Sequence, residues 1–292
     1  MYCRSERPDW ETDGRDWPNR EASRFVTVQG ATWHVQDMGE GPVLLLVHGV
    51  GAATHSWRDL APLLAKHFRV VAMDLPGHGF SAPVPFFRLS LEAMAEGIVA
   101  LLQALDAAPS LVIGHSAGAA ILARMCIDGR IRPKLFVSLN GAFIPFGGPL
   151  GPIASPLAKL LFVNPLVPRF FAWQTDRKAA ERLIGGTGSK LSPEGVELYA
   201  RLARRPAHFG AALGMMASWN LRGLEEQLPL LEAPLVLVVG QEDAAIDPKE
   251  AERIQRAMPA ARLVRLEGLG HLAHEEDPGR VAALIDDLWS DA

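Results

Sequence analysis

The sequence predicts an α/β fold, with a mostly parallel central sheet flanked by helices and an inserted helical region. Continuous apolar runs without polar alternation are typical of strands that are buried on both faces of a parallel sheet. Such runs occur at Val43–Val47, Val70–Met73, Leu111–Ile113, Leu135–Leu139 and Leu235–Val239. Segments with helical periodicity lie between them, which is the alternation that β-α-β units require.

Three helices are expected from apolar residues at helical spacing. Ser56 is expected to cap a helix that runs to Leu64, and Ser90 to cap a longer one that runs to Leu105. Serine is suited to this position because its side chain accepts a hydrogen bond from the first amides of a helix. A third helix is expected near the end of the chain, over 281–288.

About 95 residues separate the run that ends at Leu139 from the run that begins at Leu235, far more than a crossover connection needs. Residues 143–222 are helix-like, so we interpret them as a lid above the carboxyl ends of the strands. The expected division is a polar N-terminal segment at 1–24, an α/β core at 25–142 and 223–292, and a helical lid at 143–222.

The composition excludes several classes of protein. With 29 basic against 33 acidic residues, the net charge of −4 provides no basic field for nucleic acid. Cys3 and Cys126 are far apart and have no metal-binding spacing, which argues against a disulfide framework or a zinc site. The first 20 residues are polar and contain several acids, unlike a signal peptide, so a cytoplasmic location is expected. The apolar stretch 154–173 is interrupted by three prolines and is not expected to form a transmembrane helix.

The segment Gly114-His115-Ser116-Ala117-Gly118 carries the strongest chemical signal. It follows an apolar strand and opens a helix, which is the setting of a nucleophile elbow, a tight turn that exposes a serine hydroxyl above the sheet. Both glycines are expected to be required because side chains there would collide with the neighbouring strand and helix. We therefore predict Ser116 as a nucleophile and reject the alternative of a glycine-rich turn without function. Cys126, further along this helix, is interpreted as a buried helix residue.

An acid is expected at the end of the strand Leu235–Val239. This strand runs into a loop that contains Asp243, at the edge of the sheet where sites form. We predict Asp243 as the acid that orients a catalytic histidine. Asp247 is a rival, but it precedes Pro248 and a helical run, so N-capping is its expected role. Glu242 is a weaker rival.

A base is expected at the same edge of the sheet. The next expected strand, Leu263–Leu266, leads into His271, which is the predicted base. His274 is the alternative, but it lies in an acidic stretch and is interpreted as a helix-start or surface histidine. His78, in a Pro-Gly-His-Gly turn, and His34, in an expected first strand, are interpreted as structural.

An oxyanion hole is expected from the segment His48-Gly49-Val50-Gly51, whose glycines give backbone amides room to point into a site. We predict the amides of Val50 and Ala117 as its donors. In this arrangement Ser116 attacks a carbonyl while His271 takes its proton, Asp243 stabilises the imidazolium, and water then releases an acid. The reaction requires neither a metal nor an organic cofactor.

The inserted region is rich in large apolar side chains. Phe143, Trp173, Met215 and Trp219 are predicted to line an apolar pocket for an acyl group or a tetrapyrrole. The alternative is that most of the apolar residues of this region fix the lid helices to the core. Basic residues of the region suit porphyrin propionates or an anionic membrane surface, and a solvated helix face explains them equally well.

The motifs together resemble the α/β-hydrolase family. With the segment Asp74-Leu75-Pro76-Gly77-His78-Gly79-Phe80-Ser81 between them, the match runs from about Thr32 to the C-terminus and is highly specific as a set. Segments 16–26, 55–60 and 138–142 are in addition similar to magnesium-chelatase accessory proteins of bacteriochlorophyll biosynthesis. That narrower resemblance implies a role near magnesium insertion into protoporphyrin and a contact with the chelatase.

Two functions from different classes follow from these observations. The first is a serine hydrolase that cleaves an ester or related acyl bond in an apolar substrate, and a carbon-carbon bond hydrolase would use the same triad. The second is a non-hydrolytic protein on a hydrolase fold, which binds a porphyrin or assists the chelatase.

Overall fold

A computed structural model describes residues 6–145, 164, 166–219 and 221–292. Within these residues, eight strands form one sheet in the order β1-β2-β4-β3-β5-β6-β7-β8. The strands are β1 (Ser23–Val28), β2 (Ala31–Met38), β3 (Val43–Val47), β4 (Arg69–Met73), β5 (Leu111–His115), β6 (Leu135–Leu139), β7 (Leu235–Gly240) and β8 (Arg262–Leu266). Only β2 runs against its neighbours, β1 and β4, among these strands, and the other pairs are parallel. The predicted mostly parallel α/β fold is confirmed.

The core lies on both faces of the sheet because its central strands are apolar throughout. Every residue of β5, β6 and β7 is buried. Alternate residues of β3 enter opposite clusters, so Leu45 packs on one face and Leu44 and Leu46 on the other. Burial on both faces explains why these strands appear in the sequence as the continuous apolar runs from which they were predicted. His34 lies in β2 and not in the first strand, because an edge strand, β1, precedes it.

Helices connect the strands and cover the sheet. They are α1 (Leu60–Leu64), α2 (Leu91–Ala104), α3 (Ala117–Ile127), α4 (Leu166–Gln174), α5 (Arg177–Gly185), α6 (Pro193–Ala203), α7 (Pro206–Ser218), α8 (Leu221–Gln227), α9 (Lys249–Ala257), α10 (Ala273–Glu276) and α11 (Pro278–Ser290). Ser90 caps α2 as expected, since its side chain accepts from Ala93 N. The capping role predicted for Ser56 is wrong.

Ser56 lies in a short 3₁₀ turn, Thr54–Trp57, before α1. Its Oγ donates to Oε1 of Glu275 at 2.6 Å and lies 2.9 Å from Nε2 of His274. These buried partners compete successfully with the amides that a helix cap would satisfy.

The region between β6 and β7 contains the helices α4 to α8. Residues 146–163, 165 and 220 of the predicted lid lie outside the described residues. Helix α7 packs closely on the loop after β4, because a Cβ at Gly77 would lie 2.7 Å from Cβ of Ala211. None of the helices in the described part of the chain is long and apolar enough to cross a membrane.

The N-terminal segment packs on the folded body from residue 6 onward. Trp17 is buried, and its Nε1 donates to Thr54 Oγ1 at 3.0 Å. Arg201 of α6 forms an ion pair with Asp16 at 2.6 Å. The segment therefore contacts both the core and the inserted helices.

Candidate active site

The turn between β5 and α3 holds Ser116 in a conformation that few non-glycine residues adopt. Its φ is 51° and its ψ is −118°, in a sterically unfavourable region that is typical of functional turns. A Cβ at Gly114 would lie 2.5 Å from the Ala119 nitrogen, and one at Gly118 would overlap the carbonyl oxygen of Val47. The turn therefore requires glycine at both positions, next to the helix and next to β3.

Asp243, in the loop after β7, is a buried carboxylate with four hydrogen bonds. Its Oδ1 accepts from the amides of Ala245 and Ile246 at 2.8 and 2.9 Å. Its Oδ2 accepts from Nδ1 of His271 at 2.8 Å and from Nδ2 of Asn140 at 2.7 Å. Both oxygens are thus fixed, and the carboxylate is aimed at the imidazole.

The two rival acids are placed differently. Glu242 and Asp247 are exposed, whereas Asp243 is buried. Asp247 Oδ1 accepts from the amide of Lys249, the first residue of α9, at 2.9 Å. Asp247 thus satisfies a helix-terminal amide, which is the role that the sequence indicated.

His271 lies in the loop after β8, beside Asp243. With Nδ1 bound to the carboxylate, Nε2 is the ring nitrogen that can take a proton from a nucleophile. His274 cannot replace it, because this ring is fully buried and its Nε2 contacts Ser56. Burial lowers the pKa of His274 to about 3, with the charges of His271 and Arg58 acting in the same direction. The interpretation of His274 as a surface residue is therefore wrong, although it does lie in the short helix α10.

The nucleophile turn and the base loop are joined through His115. Nε2 of His115 donates to the carbonyl oxygen of His271 at 3.0 Å, and the two rings are 4.7 Å apart. Among the described residues no hydrogen bond joins Ser116 to His271. Contacts between nucleophile and base are often longer without substrate than in a reacting complex.

The loop after β3 passes close to the nucleophile. A Cβ at Gly49 would lie 3.0 Å from Cβ of Ser116. His48 holds this loop, because its Nδ1 donates to the carbonyl of Gly49 at 2.7 Å and its Nε2 accepts from the amide of Leu75 at 2.9 Å. Burial lowers the pKa of His48 to about 4, so the ring is neutral near pH 7. The predicted donors, Val50 and Ala117, follow Gly49 and Ser116 directly.

The four predicted substrate-binding residues are not in one place. Phe143 and Met215 are buried in the same apolar cluster as Ala117, and Trp219 packs against that cluster. Trp219 also donates from Nε1 to the carbonyl of Leu89 at 3.0 Å. Trp173 lies on α4 with 81% of its surface exposed. Its predicted position in the pocket is therefore wrong, because α4 turns this side chain outward.

Asn140 is the residue that sequence reasoning missed. It follows β6 directly, has a positive φ of 47° and is buried beside Asp243. A polar residue at the carboxyl end of a buried parallel strand is the signal that could have identified it, since the neighbouring strands deliver Ser116 and Asp243 to the same edge.

Comparisons with known proteins agree with this geometry. Residues 44–284 match a family model described as the alpha/beta hydrolase family. The chain belongs to the α/β-hydrolase family. It is similar to a Rhodobacter capsulatus protein named magnesium-chelatase 30 kDa subunit, with 38% identity over 278 residues that cover 93% of this chain and 96% of that protein. The resemblance drawn from the motifs is confirmed.

Two solved structures show the same architecture. An alpha/beta hydrolase fold protein from Burkholderia ambifaria superimposes with a TM-score of 0.75 and 25% identity, covering 91% of this chain and 97% of that one. A thermophilic esterase from Thermogutta terrifontis gives a TM-score of 0.72 and 25% identity, covering 92% of this chain and 98% of that one.

Proposed function

We propose that the protein is a serine hydrolase that cleaves an ester or related acyl bond in an apolar substrate. The observation that carries the proposal is the buried pair of Asp243 and His271, joined at 2.8 Å at the sheet edge where Ser116 occupies a strained turn. A carboxylate that fixes the tautomer of a histidine beside such a serine is the arrangement that activates a hydroxyl at neutral pH.

Each of these three side chains has its own role in the proposed reaction. His271 takes the proton of the Ser116 hydroxyl through Nε2 as the oxygen attacks the carbonyl carbon, and Asp243 stabilises the imidazolium. Collapse of the tetrahedral species breaks the bond to the leaving alcohol, which receives the proton from His271. Water then attacks the acyl-enzyme by the same route and releases the acid.

The oxyanion hole in this proposal consists of the amides of Val50 and Ala117. Ala117 begins α3, and amides at a helix N-terminus favour negative charge. Gly49 keeps the loop of Val50 within van der Waals distance of Ser116. Loss of one donor of this kind costs roughly a hundredfold or more in rate.

The substrate class follows from the apolar surroundings. Phe143, Met215 and Trp219 belong to or pack against the cluster that contains Ala117. In this proposal helices α4 to α8, which lie between β6 and β7 in the chain, form a lid over this edge. Acyl chains and tetrapyrroles both suit such a surface. The name of the Rhodobacter relative supports contact with magnesium chelatase. The proposal places this role in the cytoplasm, near the magnesium chelatase step of bacteriochlorophyll biosynthesis.

The test uses two serines at the same edge of the sheet. Ser116→Ala should abolish hydrolysis of p-nitrophenyl esters and labelling by a fluorophosphonate. Ser138→Ala is the matched control, because Ser138 is buried at the end of β6 and should not react. Labelling of the Ser116→Ala protein at the wild-type rate would contradict the proposal.

A second candidate is a non-hydrolytic protein that binds a porphyrin or assists the chelatase. The 38% identity to a protein named as a chelatase subunit favours it. It predicts that the Ser116→Ala protein still binds protoporphyrin and restores pigment in a bacteriochlorophyll-producing strain that lacks its own homologue. Intact porphyrin binding without pigment would reject this candidate in favour of the hydrolase.

The proposal includes peripheral contact with a membrane. Leu166, Phe170 and Trp173 are exposed on α4, and Arg177 and Lys178 are exposed at the start of α5. Aromatic side chains with adjacent cations suit an anionic bilayer surface. Trp173→Ser should reduce co-sedimentation with phosphatidylglycerol vesicles, and equal binding by wild type and variant would contradict the contact.

A further inference from the structure

His208 of the inserted helix α7 is buried and binds two loops of the core at once. Its Nδ1 accepts from the amide of Gly79 at 3.0 Å. Its Nε2 lies 3.1 Å from the carbonyl oxygen of Gly51. The triad uses neither contact, yet Gly51 is next to Val50, one of the two proposed oxyanion donors.

The two partners define the protonation state of His208. An amide can only donate and a carbonyl can only accept, so Nδ1 must be unprotonated and Nε2 must carry the hydrogen. Burial lowers the pKa of His208 to about 3, and the charge of His78 acts in the same direction. The ring is therefore a neutral linker that donates to Gly51 and accepts from Gly79 throughout the physiological range.

The loop around Val50 is held by two histidines from different parts of the fold. His48, at the end of β3, binds the carbonyl of Gly49, which belongs to the same peptide group as the Val50 amide. His208, from the inserted helix, binds the carbonyl of Gly51 on the other side of Val50. The amide of Ala52 also donates to the carbonyl of Gly49 at 3.3 Å and closes a turn around Val50 and Gly51, in which Gly51 has a φ of 72°. His208 adds a contact to the Gly51 carbonyl of this turn.

We infer that His208 is a positioning residue, which fixes the loop of Val50 so that its amide points at the developing oxyanion. The inference rests on the proposed hydrolase function and adds that the inserted region completes the oxyanion hole as well as covering the substrate. An amide aimed in advance at the transition state contributes to kcat more than to substrate binding.

The packing of α7 makes this link rigid. Cβ of Ala211, one turn after His208, would lie 2.7 Å from a Cβ at Gly77, so the helix is in close contact with the loop after β4. The ring of His78 lies 5.3 Å from that of His208 and 5.5 Å from that of His48. These contacts connect α7 to the loop after β3, so we expect a displacement of α7 to disturb that loop.

Two substitutions of His208 each keep one of its two hydrogen bonds and remove the other. His208→Gln places an amide N–H near the position of Nε2 and keeps the bond to Gly51. His208→Asn places an oxygen near the position of Nδ1 and keeps only the bond to Gly79. We expect His208→Asn to lower kcat for p-nitrophenyl esters by about ten- to a hundredfold with KM changed less than about threefold, and His208→Gln to recover most of the loss.

The outcomes distinguish this inference from the proposed function. If the wild type hydrolyses esters and is labelled by a fluorophosphonate, but His208→Asn reacts equally fast, the inference is overturned and the hydrolase stands. Equal rate losses in both variants, in proportion to equal losses of melting temperature, would show a structural role only and overturn it as well. If the wild type itself does not react, both fail.

A measurement on the wild-type protein is independent of whether the variants fold. Imidazole ¹⁵N NMR should show His208 as the neutral Nε2–H tautomer at pH 7. The opposite tautomer could not donate to Gly51, and a protonated ring could not accept from the Gly79 amide, so either result would overturn the inference.

Discussion

Replacement of Asn140 by alanine should loosen the acid of the proposed triad without removing it. Oδ2 of Asp243 accepts one hydrogen bond from His271 and one from Asn140, whereas Oδ1 is bound by two backbone amides. A hydrogen bond to a charged group contributes about 1.5–3 kcal/mol. Because Oδ1 remains fixed, we expect the Asn140→Ala protein to fold. Its free energy of unfolding should fall by an amount in that range plus about 1–2 kcal/mol, because alanine is disfavoured at the positive φ of 47°.

The effect on catalysis follows from the same geometry. Without Asn140, the carboxylate can rotate about its remaining bonds, and His271 is oriented less strictly. A loss of 1.4 kcal/mol in transition-state stabilisation lowers the rate about tenfold, so kcat/KM for p-nitrophenyl butyrate should fall by about ten- to a hundredfold. Hydrolysis and the fluorophosphonate labelling rate measure this change, and urea unfolding measures the stability.

Two further variants make the test specific. Ser138→Ala is the control, because Ser138 is buried at the same end of β6 and its Oγ has no hydrogen-bond partner among the described residues. It should leave both rate and stability nearly unchanged. Asn140→Asp replaces the donor to Asp243 with a second carboxylate that repels it, so its rate should fall at least as far as that of Asn140→Ala. A wild-type rate for Asn140→Ala would refute the reasoning.

Three other predictions follow from the structure. Gly118→Ala should abolish fluorophosphonate labelling, because the added Cβ would overlap the carbonyl oxygen of Val47. A stable variant that is still labelled would contradict the requirement for glycine in this turn. Burial raises the pKa of Cys126 to about 12, so iodoacetamide at pH 8 should alkylate the native protein far more slowly than the unfolded one, as mass spectrometry would show. The buried histidines should make the fold sensitive to acid. Their pKa values are lowered by burial, so the unfolded state binds more protons below pH 6.5, and each ring removes about 1.4 kcal/mol per pH unit until its folded pKa is reached. Circular dichroism should show cooperative unfolding between about pH 6 and pH 4.5, and an unchanged melting temperature at pH 5 would contradict this. The rings concerned are His48, with a pKa of about 4, and His78, His208 and His274, each with a pKa of about 3.

The parts of the fold that could be predicted from sequence are those determined by neighbours in the chain. The nucleophile turn is encoded within the few residues from the end of β5 to the start of α3, where an apolar strand, two glycines and a helix all favour one geometry. The strands β3 and β6 were predicted at their observed bounds, Val43–Val47 and Leu135–Leu139, because burial on both faces leaves an uninterrupted apolar run.

The parts that could not be predicted depend on distant partners. Ser56 has the sequence of a helix cap, but Glu275 and His274 lie more than 200 positions away and provide stronger, buried hydrogen bonds. Asn140 is separated from Asp243 by 103 positions. The antiparallel strand β1 contains only half-buried and exposed residues, without a buried apolar run, which is a weak signal at the edge of a sheet.

Two buried pairs of histidine and aspartate occur among the described residues, and their surroundings differ. His34 and Asp74 are joined at 2.8 Å with no exposed surface, and Asp74 also accepts from the amides of Thr54 and Phe80. Burial alone would raise the pKa of Asp74, but the charge and hydrogen bond of His34 and the nearby amides lower it below its usual value. This pair joins two loops to the sheet and has no access to substrate. The second pair has the same 2.8 Å separation, but 10% of the His271 side chain is exposed. The proposed proton transfer between His271 and a substrate needs such access, whereas the fully buried His34 ring is suited only to stabilising the fold.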